Sequence, residues 1–282
     1  MSLAPFAWSA PLALVLALGV DEEPKNVDSR SAVRAEVDAF LSVDRKYASG
    51  EKLGLYLRTT DGKMKKVWDG EPYDCRALPD KSVLIVERWE HRVLWLTPEG
   101  DVKFRMDGFA RPTDIELSAD GHVLVVEHDR GCVTAIDPES KRIVYRRTGF
   151  SDPFDCAPLP DGGMLVADSG NDRVVKVDRE GNQTVILKGL DHPNTVEVLD
   201  DGGTLVTNWT YGEVLDYDAK GKLRMRIRTG GVLYRAVRQL DGTTLCCDGT
   251  GRKILIYDAK GRLIKTEKFA PGCVDYEPIL EG

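Results

Sequence analysis

Acidic side chains recur in this sequence at a fixed interval. Asp74, Asp114, Asp155, Thr195, Arg235 and Asp275 head equivalent segments, with successive separations of 40, 41, 40, 40 and 40 residues. In an extended segment the marker and the residue two further on share a face. That pairs Asp74 with Arg76, Asp114 with Glu116, Asp155 with Ala157, Thr195 with Glu197, Arg235 with Val237 and Asp275 with Glu277, so acids outnumber bases seven to two. Carboxylates gathered about one axis repel unless they are solvated, partly protonated or bridged by a cation. Oxygen-only ligands suit a hard ion such as Ca2+. Asp74, Asp114, Asp155 and Asp275 are therefore candidate metal ligands, and Ca2+ is the one cofactor suggested. The structural alternative is that these Asp residues accept bonds from backbone amides in the turns between units, which their recurrence favours.

A second set, Asp44, Glu87, Glu127, Asp168, Asn208 and Asp248, closes short apolar runs at the same period. Polar residues repeated at strand ends read as loop anchors. The aromatic residues are less regular and point more to a ligand. Tyr73, Phe154 and Tyr234 each precede a ring marker, and Trp89, Trp209 and Tyr211 lie in loops after the second set. With Arg235 they form a candidate binding set, able to stack on a sugar or apolar group or to embrace a cation. Packing between units explains Tyr73, Phe154 and Tyr234 equally well. His91, His122, His128 and His192 form no zinc-type spacing, and a Gly-x-Ser-x-Gly elbow and a phosphate loop are missing.

The elements that position these residues follow from the repeat. Each unit of about 40 residues carries four strand signals. Strand A follows the ring marker. An Asp-Gly type turn such as Asp161-Gly162 or Asp241-Gly242 leads to strand B. Strand B is apolar at consecutive positions, as in Val83-Leu-Ile-Val86, which fits a strand covered on both faces. Strand C ends in Asp178-Arg-Glu-Gly181, Asp218-Ala-Lys-Gly221 or Asp258-Ala-Lys-Gly261, turns in which Asp bonds the backbone and Gly takes positive φ. Strand D alternates cations with apolar residues, as in Arg224-Met-Arg-Ile-Arg228, a device that guards an outer edge.

Four-stranded antiparallel sheets repeated about an axis make an all-β β-propeller. Five complete units begin at Pro72, Arg111, Pro153, Pro193 and Val232, and a lone strand A, Cys273 to Leu280, ends the chain. Phe40–Asp44, Leu53–Leu57 and Lys65–Trp68 match strands B, C and D. A six-bladed propeller over residues 38–282 is therefore expected, its sixth blade joining the C-terminal strand to three N-terminal ones. The A–B and C–D turns lie on one face, the B–C and D–A connections on the other. The second set varies between blades, and variable loops on a rigid ring are where binding usually sits.

The segment Leu159-Pro-Asp-Gly-Gly-Met-Leu-Val-Ala-Asp-Ser-Gly-Asn-Asp-Arg-Val-Val-Lys-Val-Asp-Arg-Glu-Gly181 resembles an NHL repeat, and the remaining units resemble the NHL-like, six-bladed TolB-type propeller superfamily. That resemblance implies a fold rather than a reaction, since such propellers include binding scaffolds, lactonases and lyases. Leu190-Asp-His-Pro-Asn194 is similar to the Pro-Asn segment that supplies a metal ligand in gluconolactonase-type propellers, which adds Asn194 to the candidate ligands. The position one blade later is Tyr234 rather than an acid, so the family's full ligand set does not carry over.

The chain has 282 residues, 42% hydrophobic and 30% charged, enough apolar material for a large core. Its net charge of −7 disfavours nucleic acid and anionic membrane surfaces. The apolar run Leu12 to Leu18, with small residues at Ala17 and Gly19 at the spacing a signal peptidase reads, suggests a secretory signal over 1–19, with an uncleaved anchor as the alternative. A polar linker over 20–37 follows. An exported, extracytoplasmic protein is expected. Cys75, Cys132, Cys156, Cys246, Cys247 and Cys273 read mostly as core fillers, with Cys247 to Cys273 the one conceivable bridge. Asn182-Gln-Thr184 and Asn208-Trp-Thr210 are glycosylation sequons that matter only in a eukaryotic secretory route.

Two functions fit this reading. The first is a monomeric, non-catalytic binding or scaffold module that presents the B–C and D–A loop face to a protein, peptide or glycan. The second is a Ca2+-dependent hydrolase of lactonase or esterase type at the acidic channel, so whether the chain is an enzyme stays open.

Overall fold

The structure is a computed structural model and describes residues 37–43, 54–59, 64–249, 253–268 and 273–278. It is an all-β propeller of four-stranded antiparallel blades. The strands nearest the axis are β4 (Asp74–Ala77), β8 (Pro112–Leu117), β12 (Pro153–Pro158), β16 (Pro193–Val198) and β20 (Leu233–Arg238). Behind them lie β5 (Val83–Glu87), β9 (Val123–Glu127), β13 (Met164–Asp168), β17 (Thr204–Asn208) and β21 (Thr244–Asp248). The third layer is β6 (Arg92–Leu96), β10 (Cys132–Asp137), β14 (Arg173–Val177), β18 (Glu213–Tyr217) and β22 (Lys253–Tyr257). The rim is β7 (Val102–Asp107), β11 (Arg142–Thr148), β15 (Gln183–Lys188), β19 (Leu223–Arg228) and β23 (Leu263–Lys268). These are five blades, each one contiguous run of chain.

A further sheet joins the two ends of the chain. In it β24 (Cys273–Pro278) pairs antiparallel with β1 (Val37–Val43), which continues to β2 (Gly54–Thr59) and β3 (Met64–Trp68). The register sets Phe40 opposite Glu277 and Ser42 opposite Asp275. The signal over 1–19 and most of the 20–37 linker lie outside the described residues, as does the side chain of Cys273 in the conceivable bridge.

The burial pattern explains the strand order. All five residues of β5, β9, β13 and β17 are buried, as expected of strands covered on both sides. Core clusters are shared between neighbouring blades: Leu84, Val86 and Phe104 pack with Ile115, Val123 and Val125. The rim strands are largely exposed. The A–B turns close on Asp side chains, with Asp161 Oδ1 accepting from Gly163 N at 2.9 Å and Asp201 Oδ1 from Gly203 N at 2.9 Å. The C–D turns repeat the device, Asp178 Oδ1 accepting from Gly181 N at 2.8 Å while Gly181 sits at φ 99°. Cys132, Cys156 and Cys246 are buried thiols in the blade cores.

Candidate functional site: the loop-face mouth of the channel

A repeated backbone irregularity builds the mouth. The pairing of each innermost strand slips between Pro112 and Asp114, Pro153 and Asp155, Pro193 and Thr195, and Leu233 and Arg235. A bulge re-aims the side chain of its extra residue. Here those residues are Thr113, Phe154, Asn194 and Tyr234, and all four line one void of about 30 Å3, with Tyr73, Asp74, Asp155, Thr195 and Arg235. The residues just outside the bulges, Arg111, Asp152 and His192, hold φ of 51°, 45° and 45°, a left-handed backbone unusual for residues with a Cβ.

The axial carboxylates are engaged with the protein itself. Asp114 Oδ2 accepts from Cys156 N at 2.9 Å, Asp155 Oδ2 from Val196 N at 2.6 Å, and Glu197 Oε2 from Arg238 N at 3.0 Å. Each bond runs from the innermost strand of one blade to that of the next. The sequence expectation placed these donors in the turns; they lie instead on the innermost strand of the adjacent blade, which packs directly beside the carboxylate. Charges pair in the same ring: Arg235 Nη1 lies 3.3 Å from Asp74 Oδ1, and Arg76 bridges to Glu116.

Burial sets the protonation of this ring. Asp155 is pushed up to about 7, chiefly by burial and only partly countered by Arg235 and the Val196 amide. Burial, then the charges of Asp155 and Glu116, raises Asp114 well above the usual carboxylate range. Asp114 Oδ1 is buried without a hydrogen-bond partner among the described residues, consistent with a neutral carboxyl. A Ca2+ ion takes six to eight oxygens. Here Asp114 and Asp155 each give one oxygen to a backbone amide, a guanidinium stands against Asp74, and the void is about 30 Å3. Among the described residues no three His, Cys, Asp or Glu side chains converge as a metal-ligand group. Asn194 Nδ2 donates to the Tyr234 carbonyl, and the side chain of Asp275 lies outside the described residues. Among the described residues the donor set therefore does not fit Ca2+ in this arrangement.

The second recurring set does anchor loops. Glu87 accepts from Glu71 N at 2.9 Å, Glu127 from Ala110 N at 2.8 Å, Asp168 from Ser151 N at 2.7 Å and Asn208 from Asp191 N at 3.3 Å. Each ties the loop after strand B to the connection entering its own blade. Arg92, Arg130 and Arg173 neutralise Glu87, Glu127 and Asp168.

Two side chains not singled out by the sequence complete the mouth. The guanidinium of Arg88 stacks 4.5 Å from the Tyr73 ring, 5.4 Å from Phe154 and 5.5 Å from Trp89. His128 packs edge-on against Phe154 at 5.1 Å. Its Nδ1 lies 2.9 Å from Asp129 Oδ1 and 3.0 Å from Arg111 Nη2, which also stands 3.3 Å from Nε2. Burial lowers the His128 pKa, against the pull of Asp129 and with the help of Arg111 and Arg88. The only sequence signal for Arg88 was its place in a variable loop.

Of the predicted ligand residues, the structure brings Tyr73, Phe154, Tyr234 and Arg235 together and attaches Trp89 through Arg88. Trp209 and Tyr211, 40% and 67% exposed, stand apart from the void. Tyr211 borders a separate cleft of about 440 Å3 with Arg226 and Arg228. A larger cavity, about 720 Å3, opens on the opposite face between Leu199–Asp201 and Gln239–Gly242.

Comparison with known proteins agrees with the architecture. The profile of a family described as outer membrane protein assembly factor BamB matches residues 80–188. No curated protein matches the chain. A protein of unknown function from Bacteroides caccae superposes with a TM-score of 0.67 at 14% identity, covering 86% of this chain and 98% of that one. Virginiamycin B lyase from Staphylococcus aureus gives 0.58 at 15% identity over 70% of each chain. A catalytically inactive form of that lyase, solved with quinupristin, gives 0.65 at 11% identity over 86% and 95%. At these identities the likeness is one of fold.

Proposed function

We propose that this chain is an extracytoplasmic, non-catalytic binding propeller whose loop face receives a protein or peptide partner at the axial mouth. The observation that carries the reading is the commitment of the axial carboxylates to blade-to-blade bonds, beside half-buried aromatic side chains that line the axial void. A group that holds neighbouring blades together is poorly placed to polarise a substrate carbonyl or to ligate a metal. The match to a profile described as an outer membrane assembly factor supports a protein partner and an extracytoplasmic setting, as does the apolar run Leu12 to Leu18. We further read the sheet joining β24 to β1, β2 and β3 as a sixth blade closing the ring, supported by the head-to-tail pairing and by the position of β24 beside β4 and β20. Assignment to the NHL-like, TolB-type superfamily rests on the segment 159–181, which supplies the two middle strands of the third contiguous blade.

Photo-crosslinking tests this. A crosslinking residue at Trp89 or Arg111 should trap a discrete protein in the cells that make the chain, and one at Asp161 or Asp241 on the opposite face should not. Hydrolysis of a lactone or ester panel that is lost on adding EDTA would overturn it.

A further inference from the structure

Among the described residues the cation in the aromatic cage has no counter-ion. Arg88 is only 7% exposed, its Nε is buried without a hydrogen-bond partner among the described residues, and the contacts of its guanidinium are with the rings of Tyr73, Trp89 and Phe154. A desolvated guanidinium normally meets a carboxylate or phosphate, because its planar fork of donors is costly to strip of water without one. Rings recover part of that cost through their faces, but they supply no acceptor in the plane of the fork.

The other cations at the mouth are already matched. Arg235 faces Asp74 at 3.3 Å, and Arg111 faces Asp129 at 3.2 Å. Among the described residues one positive charge is therefore left over, between rings, with Trp89 43% exposed alongside. Asp74, Asp129 and Asp152 flank the mouth, so a dianion such as phosphate would meet about twice the repulsion that a monoanion meets.

We infer that Arg88 is the anchor of an oxyanion subsite for a carboxylate carried on an apolar or aromatic body, the chemistry of a free peptide C-terminus ending in an aromatic residue. This deepens the binding-module reading and rests on it. Carboxylate oxygens would take the in-plane donors of the fork, and the attached ring would lie against Trp89.

The test is calorimetric titration of the whole chain with a short peptide ending in Phe as the free acid, the same peptide as its C-terminal amide, 3-phenylpropionate and inorganic phosphate. The inference predicts that the free acid binds at least tenfold more tightly than the amide, that phosphate binds more weakly than either acid, and that Arg88→Met abolishes the acid-to-amide ratio. Binding of 3-phenylpropionate as well would point to a small-molecule source of the carboxylate; its failure beside a binding peptide would point to a peptide. Equal affinity for acid and amide, tighter binding of phosphate, or no binding of either acid at millimolar concentration would overturn the subsite. If Arg88→Met does not fold, the acid-to-amide ratio of the unaltered chain decides. Crosslinking from Trp89 without that ratio would leave the binding reading standing and remove only the subsite.

Discussion

Asp155 carries a proton that the unfolded chain would release. Its pKa is pushed up to about 7 by burial, against 3.8 for an ordinary Asp. A group that holds its proton more tightly when folded stabilises the fold at low pH, and that contribution fades as pH rises from about 4 to about 7. At about 1.4 kcal/mol per unit the full effect is of order 4 kcal/mol. Asp155→Asn keeps an acceptor for the Val196 amide and cannot ionise. Its melting temperature relative to the unaltered chain should therefore climb between pH 4 and pH 7, as thermal melts across that window would show; a flat difference would contradict the burial argument. Asp168 contributes through its hydrogen bonds. It is fully buried and holds Ser151 N at 2.7 Å and Arg173 at 2.6 Å, so Asp168→Ala should cost about 1–3 kcal/mol in denaturant unfolding, through the donors it strands. Both residues stood out in the sequence because they recur at a fixed interval. Their partners did not, since Val196 N reaches Asp155 only through the stacking of one blade on the next. Arg88 was less legible still: its surroundings come from three segments, Tyr73, Trp89 and Phe154, and no periodic marker flags it.

Strand positions were readable nearly everywhere, because each layer has its own pattern. Continuous apolar runs became fully buried second strands, and alternating cationic runs became rims. The bulges were not readable. They arise where the chain comes out of a left-handed residue such as Arg111 or His192 and must still join the ladder, and they turn Thr113 into the mouth along with its aromatic counterparts. A loop element shows the same backbone control. Gly212 has φ 57°, and a Cβ there would collide with the Gly231 carbonyl. Gly212→Ala should destabilise the protein by more than about 1 kcal/mol and loosen the loop bearing Trp209 and Tyr211, detectable as faster amide exchange over 208–213. Unchanged exchange would show that the loop tolerates the shift.

The molecule as a whole distributes its larger apolar clusters between neighbouring blades. Removing β24 by ending the chain at Lys268 should expose the β1 edge and lower the melting temperature sharply, with aggregation visible on gel filtration; a monomer of unaltered stability would contradict the sixth-blade reading. The same architecture gives the two functions considered from the sequence different consequences for stability. If the axial carboxylates exist to join blades, stability must be indifferent to calcium. If they exist to hold a metal, a bound ion must raise it by mass action, about 2.7 kcal/mol at a hundredfold excess over Kd. The most direct measurement is the melting temperature of the purified chain stripped with EDTA and then titrated with Ca2+. The account predicts one unchanged value throughout, and a rise on adding Ca2+ that Asp155→Asn abolishes would contradict it.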